Sequence, residues 1–126
     1  MTERPLRVAV DATSLLDPPT GVGVVVRELL DGFAERPDLD VSTFAVSWRG
    51  RRRLPSVVGP AVAVRSRPFP ARLARRLWLR GDHPSGRGLG GADAEVIFGP
   101  NHVVPPGGGA AEVLTIHDLT AVRYPE

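Results

Sequence analysis

Apolar and polar positions fall into short blocks along this chain, and the blocks differ in period. Leu6-Arg7-Val8-Ala9-Val10 is a brief, β-branched run closed by Asp11, the pattern of a buried strand. From Val22 to Ala34 the residues Val22, Val25, Val26, Leu29, Leu30 and Phe33 recur at helical spacing, with Arg27, Glu28 and Asp31 between them. That predicts an amphipathic helix starting near Thr20-Gly21 and stopping before Pro37. Its valines give up side-chain freedom in a helix, but spacing and length outweigh that cost. Val41–Val46, Ala61–Val64, Glu95–Phe98 and Glu112–Ile116 predict four further strands. Pro68-Phe69-Pro70 introduces a second helix, with Leu73, Leu77 and Trp78 on one side and Arg72, Arg75, Arg76 and Arg80 around them. Residues 49–53 read as a solvated basic loop, and 81–92 as a flexible glycine-rich one.

Apolar strands alternating with helices and crossovers imply an α/β protein with a parallel sheet covered on both faces. Right-handed crossovers favour a doubly wound, Rossmann-like sheet of about five strands in the order 3-2-1-4-5. Such sheets bind ligands beyond the carboxyl ends of the strands, where the strand order reverses. Three segments are expected to meet there: the Asp11–Gly23 loop, the Gly99–Pro106 loop and the His117-Asp118 corner.

Composition narrows the chemistry. The 126 residues contain no cysteine, which excludes a disulfide scaffold, a thiol nucleophile and a Cys-ligated metal. That length accommodates one domain. All sixteen cationic side chains are arginine, which removes Schiff-base and Walker-type lysine mechanisms. No apolar stretch approaches the roughly 18 residues of a membrane span, and the first residues do not read as a signal peptide. The expectation is a cytoplasmic protein, with room for peripheral contact at the inner face of the membrane. The formal charge of +2 conceals an asymmetry. Residues 1–48 carry four Arg and eight acids, residues 49–87 eleven Arg and one acid, residues 88–126 one Arg and five acids. A cationic block between acidic flanks suits a phosphate-bearing or membrane-surface partner.

Gly21 and Gly23 stand at the predicted start of the first helix, where free N–H groups and the dipole favour an anion. The same glycines can equally serve only a tight turn. Val26 occupies the place of a third fingerprint glycine, and no acid ends the second strand, so NAD or FAD binding is rejected. His117 follows a buried strand and is expected to point into the crevice, with Asp118 orienting it; alternatively, Asp118 caps a turn and His117 is a boundary residue. His102 lies on the second crevice loop, and His83 in the glycine-rich segment reads as solvated. Spacings of 19 and 15 residues between the three histidines form no local ligand motif, so no metal is expected; no cofactor is expected either. Ser14 lacks a recognisable base, and no nucleophile elbow is present, leaving Ser-His-Asp hydrolysis unsupported. The helix bearing Arg72, Arg75, Arg76 and Arg80 either contacts an anionic lipid surface or packs its leucines on the sheet. Aromatic residues are 6% of the chain and are not interleaved with the arginines, which argues against nucleic acid.

Val8-Ala9-Val10-Asp11-Ala12, Thr20-Gly21-Val22-Gly23 with Arg27-Glu28-Leu29, Val96-Ile97-Phe98-Gly99-Pro100-Asn101, Thr115-Ile116-His117-Asp118-Leu119 and Arg123-Tyr124-Pro125-Glu126 occur in that order. Together they resemble the N-terminal domain of a GT-B fold glycosyltransferase of the family 4 (group 1) type, faintly only across residues 49–92. The resemblance implies transfer of a sugar from a nucleotide-sugar donor, with retention, to a sugar, lipid-linked or small-molecule acceptor. It implies that Gly21 and Gly23 lie against the donor diphosphate. It also implies that His117 sits near the transferred sugar with Asp118 supporting its loop, and that Asn101 and His102 line the acceptor side. The sequence ends at Glu126, before the nucleotide-binding half of such an enzyme. The 126-residue chain by itself is therefore expected to be inactive, and its fifth strand to be an unprotected edge prone to self-association. Two other readings stand beside this one. One is a non-catalytic αβ module that binds a phosphorylated ligand or an anionic membrane surface through its Arg-rich segment. The other is a related GT-B enzyme such as a nucleotide-sugar epimerase.

Overall fold

A computed structural model describes residues 3–18 and 21–117. The described chain builds an α/β fold around a five-stranded, all-parallel sheet in the order β3-β2-β1-β4-β5. The strands are β1 (Leu6–Asp11), β2 (Leu39–Phe44), β3 (Ala63–Val64), β4 (Val96–Gly99) and β5 (Ala111–Leu114). The helices are α1 (Gly21–Ala34), α2 (Leu54–Val58), α3 (Ala71–Trp78) and α4 (Gly86–Leu89), with 3-10 turns at Thr13–Leu16 and Gly50–Arg53. Each strand contributes alternate residues to opposite faces. Val8 and Val10 therefore join Val26 and Leu30 of α1 and Leu54 and Val58 of α2 in one core. Ala9 faces the other way, into a second core with Ile97, Phe44, Ala74 of α3 and Leu89 of α4. The sheet is thus doubly wound.

Register follows the hydrophobic pattern, since a one-residue slip would turn Val8 and Val10 off their core. Leu6 to Asp11 pair with Leu39 to Phe44, so the second strand lies two residues earlier than its apolar run predicts. Thr43 is fully buried there, and its hydroxyl donates to the Ala63 carbonyl at 3.2 Å, which explains how a polar residue sits inside the strand.

Two loop expectations are corrected. The basic segment 49–53 is a 3-10 turn that leads into α2, whose Leu54 and Val58 are buried against Leu30. The glycine-rich segment, expected to be flexible, packs on the sheet. A Cβ added at Gly91 would lie 2.6 Å from that of Ala9, so only glycine brings this backbone so close to β1. Arg87 fastens the same segment, donating Nε and Nη2 to the Ala94 carbonyl at 3.0 and 2.8 Å.

At the amino-end rim, Glu95 accepts from both Nη atoms of Arg4 (2.9 and 2.7 Å) and from the Arg7 N–H at 3.0 Å. The Arg4 hydrogen bonds, joined by the Arg7 N–H, pull the Glu95 carboxyl down to about 2. This cluster ties the start of β1 to the start of β4.

Candidate functional site

The strand order reverses between β1 and β4, whose loops leave the sheet in opposite directions and open a crevice between them. A cleft of about 100 Å³ occupies that place. Asp11, Thr13, Ser14 and Asp17 line it from the loop after β1, and Pro100, Asn101 and Val103 from the loop after β4. Ala71, Arg75 and Trp78 of α3 close it. Asp11 shares the parity of Ala9 along β1, so its side chain emerges on the α3 side, toward Arg75.

Asp11 anchors the site. Its Oδ1 accepts the Thr13 N–H at 3.0 Å and the Thr13 hydroxyl, and that hydroxyl accepts the Val46 N–H at 2.9 Å. The chain of bonds fixes the exits of β1 and β2 to one another. Burial raises the Asp11 carboxyl above the usual carboxylate range, while the Thr13 bonds and the Arg75 charge pull it back. The Ser14 hydroxyl is buried without a hydrogen-bond partner. Ser14 and Asp17 also belong to a neighbouring cavity of about 390 Å³, lined further by Gly23, Val24, Arg27 and Glu28 of α1. The two hollows share a wall, which puts the start of α1 on the same rim as the crevice.

The loop after β4 turns sharply. A Cβ on Gly99 would stand 2.0 Å from the Val103 carbonyl oxygen, so glycine alone allows the chain to fold back over the strand end. His102 takes the left-handed conformation at φ 57°. Its N–H donates to the Thr115 carbonyl at 3.2 Å. Its ring meets that of His117 edge-on, with centroids 5.1 Å apart.

The sequence-predicted residues divide as follows. Asn101 lines the cleft and His102 stands beside it. His117, expected to point into the crevice, is not among the residues lining it. β5 ends at Leu114, and three residues later the His117 ring turns to the Pro100 carbonyl, with Nε2 2.7 Å from that oxygen. It therefore meets the cleft from outside, through the backbone of a lining residue. Asp118 lies outside the described residues. Gly21 begins α1 with open space where a side chain would go, and Gly23 faces the larger cavity. Arg75 enters the cleft, while Arg72, Arg76 and Arg80 lie on the exposed side of the α3 segment. Asp11 and Thr13 fall within the Asp11–Gly23 loop expected at the crevice, but the sequence pattern assigned neither a role; the polar closure of a buried strand at Asp11 is the local sign that this strand end carries a site. Among the described residues no three His, Asp or Glu side chains group as a metal site would.

No family model matches the chain, and neither a curated protein nor a solved structure matches it.

Proposed function

We propose that this chain is the acceptor-side portion of a retaining glycosyltransferase, with the nucleotide-sugar held by a separate nucleotide-binding unit. The observation that carries the reading is the convergence of three loops on one rim. The loop after β1 and the loop after β4 line a common cleft, and His102 and His117 join the latter to the segment after β5. The resemblance in motif order supplies the reaction class.

In this reading a sugar hydroxyl enters the cleft between Asn101 and Asp11, with Arg75 and the Trp78 ring forming its floor. The Asn101 amide both donates and accepts, as a hydroxyl requires. Asp11 accepts from an incoming hydroxyl with the oxygen that Thr13 leaves free. The departing diphosphate lies toward the start of α1, where fixed N–H dipoles at Gly21 and Gly23 offset its growing charge. His117, held on the Pro100 carbonyl, stands at the mouth, where the transferred sugar would arrive.

Titration of the isotope-labelled chain with saccharides and sugar nucleotides tests this. Saccharides are expected to shift the amides of residues 11–17 and 99–103, and Asn101→Ala to weaken the binding about tenfold, the loss of one or two hydrogen bonds. Saccharide shifts that fall elsewhere, or none with any sugar tried, would overturn the proposal.

A further inference from the structure

The sequence pattern sets Leu73, Leu77 and Trp78 on one side of α3, and the structure divides them. Ala71, Ala74 and Trp78 turn inward, the indole N–H donating to the Pro84 carbonyl at 2.8 Å. Leu73, Leu77 and the following Leu79 stay 46, 40 and 87% exposed. Arg72, Arg76 and Arg80 recur every fourth residue beside the leucines, and none of the three has an ion pair or side-chain hydrogen bond among the described residues. Residues 71–80 include no acid. Like charges at this spacing destabilise a helix, and exposed leucines gain nothing from water. An external partner that is anionic and offers apolar depth removes both costs.

We propose that the outward face of α3 docks on an anionic lipid bilayer. The arginines pair with lipid phosphates, and their planar guanidinium groups suit two phosphate oxygens at once. Leu73, Leu77 and Leu79 enter the boundary between headgroups and acyl chains, the division of labour of an interfacial helix. Nucleic acid would use the charges and leave the leucines wet, so the leucines select the membrane. Arg76, Leu77, Leu79 and Arg80 line a shallow concavity of about 240 Å³ on this face, which a headgroup can occupy. This inference is independent of what the cleft binds, because it concerns the opposite side of the same helix.

Vesicle co-sedimentation at near-physiological salt tests it, using phosphatidylcholine vesicles with and without phosphatidylglycerol. The chain is expected to bind only the anionic vesicles and to be released by added salt. Each arginine near such a surface contributes about a kilocalorie per mole, so Arg72→Gln, Arg76→Gln and Arg80→Gln together are expected to weaken binding on the order of a hundredfold. Leu73→Ser with Leu77→Ser is expected to weaken it as well; both side chains are exposed, so circular dichroism should be unchanged. Arg36→Gln, at an exposed ion pair with Asp38 away from α3, is expected to change binding little. The proposal is overturned if the folded chain ignores anionic vesicles, or if the triple variant binds as well as its parent. It is equally overturned if the leucine variant binds unchanged while polyglutamate displaces the vesicles, the behaviour of a site for acidic proteins.

Discussion

Two carboxylates of this molecule have opposite relations to proton concentration. Burial raises Asp11, so the folded chain holds that proton more tightly than the unfolded chain, and ionising it costs stability as pH rises above the ordinary value of 3.8. Glu95, held at about 2 by its bonds with Arg4 and Arg7, contributes stability fully above 4.5 and loses it as pH falls toward 2. Urea unfolding followed against pH should separate them. Glu95→Gln is expected to flatten the fall in stability on the acid side, and Asp11→Asn to remove the opposing slope above 3.8. Asp11→Ala should instead cost about 1–3 kcal/mol, because the Thr13 N–H and hydroxyl lose their shared acceptor. An alanine variant as stable as its parent would show that the Asp11–Thr13–Val46 link does not hold the two strand exits together.

At the scale of elements, the turn after β4 decides the shape of the cleft. Gly99→Ala is expected to destabilise by about 1–3 kcal/mol, since the Val103 carbonyl must move, and to displace Asn101 from the cleft. His102→Gly should act in reverse and gain about 1 kcal/mol by relieving the left-handed backbone. Unfolding midpoints of the two variants check both signs. The strand order was legible because short apolar runs such as those around Val8 and Val10 and around Ile97 alternate with helices and crossovers, and chirality then leaves few ways to connect them. The position of β2 was less so, because its register is set by pairing with Leu6–Asp11 across the sheet, a partner no local window contains. The packing of residues 81–92 was illegible for a related reason. Glycine usually signals freedom, and here Gly91 signals a close approach to Ala9 that only the tertiary structure reveals. The site was half legible. Asn101 follows from the strand-end rule, whereas the entry of Arg75 depends on which side of α3 turns inward, and the large Leu73 and Leu77 mislead where small Ala71 and Ala74 do the packing.

On the scale of the whole molecule, β5 is the last strand of the described sheet, and its Val113 and Leu114 are 47 and 41% exposed. Val113 also borders an apolar hollow of about 190 Å³ with Phe33, Val96 and Phe98. A strand edge beside an apolar hollow invites pairing with another chain. Sedimentation is therefore expected to show concentration-dependent self-association of the 126-residue chain, relieved by Val113→Lys; a monomer at every concentration would count against the pairing. Across the sheet, the Arg4–Glu95–Arg7 cluster closes the amino-end rim, far from the cleft. Because that fastening lies apart from the cleft, the exposed side chains of Asn101 and Val103 can be exchanged for others with little penalty to folding, provided Asp11, Thr13 and Gly99 are kept. Anyone wishing to retune what the protein accepts should vary the exposed positions of the carboxyl-end loops and leave Asp11, Thr13 and Gly99 as they are.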